Sequence, residues 1–165
     1  MRPDTGEILE SLDGLNIPVS ATKYRDRIAV ALQGNKSITL FNVQNGEGEI
    51  LADGFMAPTH VINYEEDLLV SDRSKGQIIR VSGEGAQEVI VDGLDSPEGI
   101  AIKDNSIYIF EGNTGQIKKY HEGKISIIAE VMPGSPVQSE LQPPSMVFNG
   151  LAIKDNHLYL SLIHI

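Results

Sequence analysis

The chain repeats itself with a period near 40 residues, and that period constrains its fold more than any other feature. Asp-Gly followed by Leu or Phe occurs at Asp13-Gly14-Leu15, Asp53-Gly54-Phe55 and Asp92-Gly93-Leu94, spaced 40 and 39 residues apart. A proline follows each at the same offset, at Pro18, Pro58 and Pro97. After each proline come a strand-like segment, a charged turn and a second strand-like segment. Ser20-Ala21-Thr22 leads to Ile28-Ala29-Val30, His60-Val61-Ile62 to Leu68-Leu69-Val70, and Gly99-Ile100-Ala101-Ile102 to Ile107-Tyr108-Ile109. Residues 99–109 and 150–160 match at seven of eleven positions, so a further copy begins there. A third segment carries Gly76-Gln77-Ile78-Ile79 and Gly115-Gln116-Ile117-Lys118. A fourth carries Glu49-Ile50-Leu51, Glu88-Val89-Ile90-Val91 and Ile125-Ser126-Ile127-Ile128.

Each segment has the length of a strand, and no window sustains the apolar stripe of an amphipathic helix. Ile and Val number 31 against 23 for Leu and Ala, so β-branched residues outweigh the good helix formers. Four short strands in about 40 residues predict an all-β fold of β-propeller blades, each of four antiparallel strands. One such blade cannot bury both of its faces alone, so blades stack around a channel.

The phase of the repeat divides one partial propeller domain over residues 1–165. Residues 1–15 read as the end of a preceding blade. Three blades follow at 16–55, 56–94 and 95–132, then an inserted loop at 133–147 and the start of a next blade at 148–161. At 162–165 the template fails: Leu162-Ile163-His164-Ile165 stands where a polar turn belongs, and these residues are set aside as non-native to the blade. Two arrangements compete, a small ring closed by the terminal strands and an incomplete arc of a six-bladed propeller of about 240 residues. The abrupt end of the template favours the arc. The inserted loop carries Pro133, Pro136, Pro143 and Pro144. It joins the outer strand of one blade to the inner strand of the next, on the face around the channel mouth, where insertions often mark binding.

Thirteen Lys and Arg against 23 Asp and Glu give a net charge of −10, the wrong balance for a nucleic-acid partner. No run approaches the ~18 apolar residues of a membrane span, and the start of this segment lacks a signal peptide's apolar stretch. A soluble chain without membrane contact is expected, in an undefined compartment. The absence of cysteine excludes disulfides, thiol nucleophiles and thiolate metal sites. The sequence also lacks a nucleophile elbow, a Walker loop, a dinucleotide fingerprint and a His-Glu-x-x-His pair. Any catalysis would therefore be metal-assisted.

The position just before each inner strand faces the mouth and holds, in register, Val19, Thr59, Glu98 and Asn149. Glu98 and Asn149 offer a carboxylate and an amide carbonyl, the oxygen donors a hard divalent cation takes. The same two residues also suit plain turns. His60, in register with Gly99 and Gly150, suits proton transfer or ligation, or plain packing. Asp72 and Glu111 end the second strands on the same face; they either extend an acidic mouth or bond their own turns.

Pro97-Glu98-Gly99-Ile100-Ala101-Ile102, followed by Ile107-Tyr108-Ile109, resembles the repeat of NHL-type and gluconolactonase/regucalcin-like six-bladed propellers. Asn149-Gly150-Leu151-Ala152 is similar to the Asn-Gly-Leu segment of the latter. The resemblance implies a metal-dependent lactone or ester hydrolase in which Glu98 and Asn149 hold a divalent metal, calcium or zinc, that activates water. It departs from the family in that the two sit in adjacent repeats, and the family's Asp ligand would fall beyond residue 165. The alternative is a non-catalytic NHL-like propeller that binds a small molecule or a protein at the channel mouth.

Overall fold

The structure, a computed structural model, describes residues 13–131 and 150–161. These residues form fourteen strands and no helix. The first blade comprises β1 (Pro18–Tyr24), β2 (Arg27–Leu32), β3 (Ser37–Asn42) and β4 (Gly48–Ala52). The second comprises β5 (Pro58–Tyr64), β6 (Asp67–Asp72), β7 (Gln77–Val81) and β8 (Gln87–Val91). The third comprises β9 (Pro97–Lys103), β10 (Ser106–Glu111), β11 (Gln116–His121) and β12 (Lys124–Glu130). Each is an antiparallel meander in chain order, and β13 (Gly150–Lys154) pairs with β14 (His157–Ser161) as a further two-stranded sheet. The inner strands β1, β5, β9 and β13 touch one another in that order.

The expected segment 1–12, the inserted loop, Asn149 and residues 162–165 lie outside the described residues.

Local chemistry explains the repeated motifs. In the Lys-Asp-Asn turns, Asp104, Asn105, Asp155 and Asn156 all have positive φ. This is the two-residue hairpin turn whose twist matches the strands, and Asp and Asn tolerate it. Gly54 and Gly93 of the Asp-Gly pairs (φ +78 and +73) turn the chain from one blade toward the next, and Gly14 shares their backbone form (φ +73). Each proline opens an inner strand, where a missing N–H costs no ladder bond. In every complete blade the register then shifts by one residue, at Val19, Thr59 and between Pro97 and Ile100. The position after each proline is thus a β-bulge, a device that redirects a side chain from the sheet face.

The core lies between blades. Ala29, Ala31 and Ile38 of the first blade pack on Val61, Leu68, Val70, Ile79 and Val81 of the second. Leu69 and Ile78, on the second blade's other face, pack on Ile100, Ile107 and Ile109 of the third. Strand β6 is therefore buried on both faces, which is why it reads as a continuous apolar run rather than an alternation. Side chains also tie blades at their edges: the Tyr24 hydroxyl donates to Glu66 O at 2.6 Å and Asn63 Nδ2 to Lys23 O at 2.6 Å.

Candidate functional site

The turns after β2, β6 and β10 and the crossings into β5 and β9 share one face, joined by backbone bonds such as Arg73 N–H to Ala57 O and Gly112 N–H to Ser96 O, both 2.9 Å. Between these loops runs a groove of about 650 Å³ lined by Gln33, Met56, Arg73, Lys75, Asp95 and Asn113, among others.

The two acids that end second strands look inward. Asp72 is fully buried. Its carboxylate accepts the N–H groups of Met56 (2.8 Å), Ala57 (3.0 Å) and Lys75 (3.2 Å), with Lys75 Nζ at 4.0 Å. Glu111, also fully buried, accepts the Asp95 N–H at 2.8 Å, the Thr114 hydroxyl at 2.9 Å and Lys118 Nζ at 2.7 Å. Lys118 occupies the register of the buried Ile79 of the preceding blade, and the longer acid of the third blade supplies its counter-charge. In both blades the acid fastens the crossing loop to the turn, so its lone pairs are committed.

Glu98 sits on the bulge and is 3% exposed, with Arg73 Nε 3.6 Å from its Oε1. Residue 112 is glycine, and a Cβ there would fall onto the Glu98 carboxylate. Thr59, the equivalent bulge residue, is buried and donates from its hydroxyl to Pro97 O at 3.1 Å, linking the second blade to the third. Among the described residues no three His, Cys, Asp or Glu side chains converge as a metal cluster. With a guanidinium already beside Glu98, the described residues alone do not fit a divalent cation; Asn149 lies outside them.

His60 is a clasp. Its Nδ1 accepts the N–H of Ile100 on the next inner strand at 2.9 Å, so in the neutral ring the proton is on Nε2. Burial pushes its pKa below the ordinary imidazole value. One repeat earlier Ser20 does the same work, its Oγ accepting the Val61 N–H at 3.2 Å. Ser71, opposite His60 in the β5–β6 ladder, is buried with no partner for its hydroxyl among the described residues.

The sequence reading missed Arg73, Lys118 and Ser20. The signal for Ser20 was present, since it shares the register of His60, Gly99 and Gly150. Arg73 gave none, because its partner lies in another blade. In a cleft of about 370 Å³ on the opposite face, near Arg25, Arg27, Glu49 and Glu84, both arginines are paired: Arg27 with Glu49 at 2.7 Å and Arg25 with Glu66 at 3.8 Å. Among the described residues no helix is long and apolar enough to cross a membrane.

No protein-family model matches the chain, and no characterised protein sequence matches it. Solved structures do. A streptogramin B lyase is similar over 92% of this chain and 50% of its own, with a TM-score of 0.65 at 16% identity. A structure of a nidogen/laminin complex is similar over 90% of this chain and 73% of that one, with a TM-score of 0.65 at 14% identity. A protein described as a gluconolactonase is similar over 76% of this chain and 49% of its own, with a TM-score of 0.56 at 15% identity. The chain thus spans about half the length of the lyase and of the gluconolactonase. At such identities the likeness is one of fold, and the fold that this chain shares with them is that of β-propeller blades.

Proposed function

We propose that this chain carries part of the ligand-binding face of a β-propeller protein, and that the groove between the β2, β6 and β10 turns receives a small polar molecule. The observation that carries the reading is the state of the carboxylates around that groove. Asp72 and Glu111 are saturated by N–H, hydroxyl and ammonium donors, and Glu98 has Arg73 beside it. A hydrolytic site needs a metal or base with free lone pairs, whereas a binding groove needs pre-set polar groups on rigid turns. The groove offers Arg73, Lys75, Asp95 and Asn113 in that form, with Asn113 Nδ2 donating to Asp95 Oδ1 at 2.7 Å.

The gluconolactonase-like neighbour and the resemblance around Glu98 and Asn149 support a second reading, metal-dependent lactone or ester hydrolysis. One experiment separates the two. The protein is titrated with a library of small polar fragments in EDTA, observed by NMR, and assayed in parallel for hydrolysis of glucono-1,5-lactone with calcium or zinc. The binding reading expects shifts clustered at Arg73, Lys75 and Asn113 without metal. Lactone turnover that requires metal and is lost in Glu98→Gln overturns it in favour of the hydrolase.

A further inference from the structure

The clasps between inner strands repeat at two crossings, and among the described residues the third crossing has no side chain in the clasp position. Val61 and Ile100 occupy equivalent ladder positions, opposite Val70 and Ile109. Antiparallel pairs alternate between bonded and non-bonded residues, and at these positions the inner-strand N–H points away from the second strand. The side chain at the repeat position 20 or 60 then accepts it, from Val61 to Ser20 and from Ile100 to His60. Leu151 holds the same position on β13, opposite Leu160. Its N–H therefore points the same way, but the residue in the clasp register is Gly99, which has no side chain to accept it. A backbone donor that no clasp side chain accepts is met by other protein groups, water or ligand. Leu151 is buried.

An open hollow of about 320 Å³ lies at this place, lined by His60, Gly150, Leu151, Ala152, Tyr159 and Leu160, with Ser161 at its edge. Position 150 is itself glycine, with only the Ser161 Cβ near, at 3.9 Å, where a side chain would start. The His60 ring, tied at Nδ1 to Ile100, has its Nε2–H as its remaining polar group. His60 and Leu151 thus line one hollow whose other walls are mostly apolar, and each brings an N–H donor. Among the described lining residues there is no cation, and the chain carries a net charge of −10, which disfavours an anionic guest.

We infer that this hollow is a binding site for the carbonyl oxygen of a small neutral compound (an amide, ester or ketone), with the Leu151 and His60 Nε2 N–H groups as its donors. The site lies apart from the groove of the proposed function and does not depend on it. A carbonyl oxygen has the two lone pairs needed to accept both donors, and the apolar walls take the rest of the molecule.

The test uses the intact ¹⁵N-labelled chain and two probes of one shape, acetophenone and α-methylstyrene, in which C=CH₂ replaces C=O. Acetophenone is expected to bind at least about tenfold more tightly, because the hydrocarbon leaves both donors unpaired, and to shift the Leu151 amide and the His60 imidazole. Gly99→Ser, which restores the acceptor found at position 20, is expected to weaken acetophenone binding about tenfold or more. Equal affinity for the two probes, tighter binding of benzoate than of acetophenone, or no shift at Leu151 at saturation overturns the proposal. The isostere comparison requires no variant, so a misfolded Gly99→Ser leaves the test intact. The mouth signals of Arg73 and Asn113 report separately on the groove.

Discussion

Asp72 and Ser71 are neighbours, both fully buried, and opposite in their consequences. The Asp72 carboxylate is compensated by three backbone N–H groups; truncation would leave those donors orphaned. Asp72→Ala is expected to destabilise by about 3 kcal/mol, read as a lower urea midpoint. The Ser71 hydroxyl has no partner among the described residues, so Ser71→Ala is expected to be neutral or stabilising by up to about 1 kcal/mol. A loss from Ser71→Ala would show that water or ligand holds that hydroxyl. His60 adds a pH dependence. Its folded pKa is depressed by burial, and protonation would also remove the acceptor from Ile100. The unfolded chain therefore takes up this proton first, near pH 6.5. Stability from His60 is complete above about pH 6.5, falls as the pH drops toward the depressed folded value, and levels off below it. Denaturation midpoints between pH 7.5 and 5 should drop more steeply in wild type than in His60→Gln. The turn-bonding reading of Asp72 and Glu111 was legible because both end a strand at a turn. The Arg73–Glu98 contact was not, because a repeat read along the chain does not show which side chains meet across blades.

At the level of strands and turns the sequence was nearly transparent. Each element is short, each recurs, and a period of 2 or a doubly buried run can be checked against its own copies. What stayed hidden was the bulge after each proline. A bulge changes register without changing composition, so the residue before each inner strand could be named but its redirected side chain could not. The turn glycines test how much of this design is conformational and how much is space. Gly76 and Gly93 both have positive φ (+68 and +73), but a Cβ on Gly76 would run into the backbone carbonyl of Leu94, while a Cβ on Gly93 meets nothing within 4 Å. Gly93→Ala should cost only the left-handed penalty, about 1 kcal/mol. Gly76→Ala adds a clash with rigid backbone, which itself accepts no relief because Leu94 N–H is bonded to Gly76 O at 3.0 Å. Its loss should be at least twice as large. Equal melting temperatures for the two variants would mean that the crossing into the third blade gives way freely.

Stacked blades bury surface only against their neighbours, so stability across the molecule should follow position in the stack rather than composition. The second blade has a neighbour on each face: Leu68 and Val70 pack toward the first blade and Leu69 toward the third, all fully buried. Strand β12 is the other extreme. All seven of its residues are exposed, including Ile127 at 53%, although its ladder with β11 is continuous apart from one bulge. Both strands are hydrogen-bonded, so a difference in their protection isolates packing from backbone bonding. Native-state hydrogen exchange should find the paired amides of β6 opening only with the whole domain and those of β12 opening locally, with protection lower by at least about tenfold. Leu69→Ala, which opens a cavity between the second and third blades, should lower β6 protection by about 2–5 kcal/mol while leaving the local opening of β12 almost unchanged. If β6 and β12 instead exchange at one common opening free energy, and both fall together in Leu69→Ala, the outer strands are part of the same cooperative unit as the core between blades. In that case the blade edge contributes as much to holding the stack together as the apolar faces do.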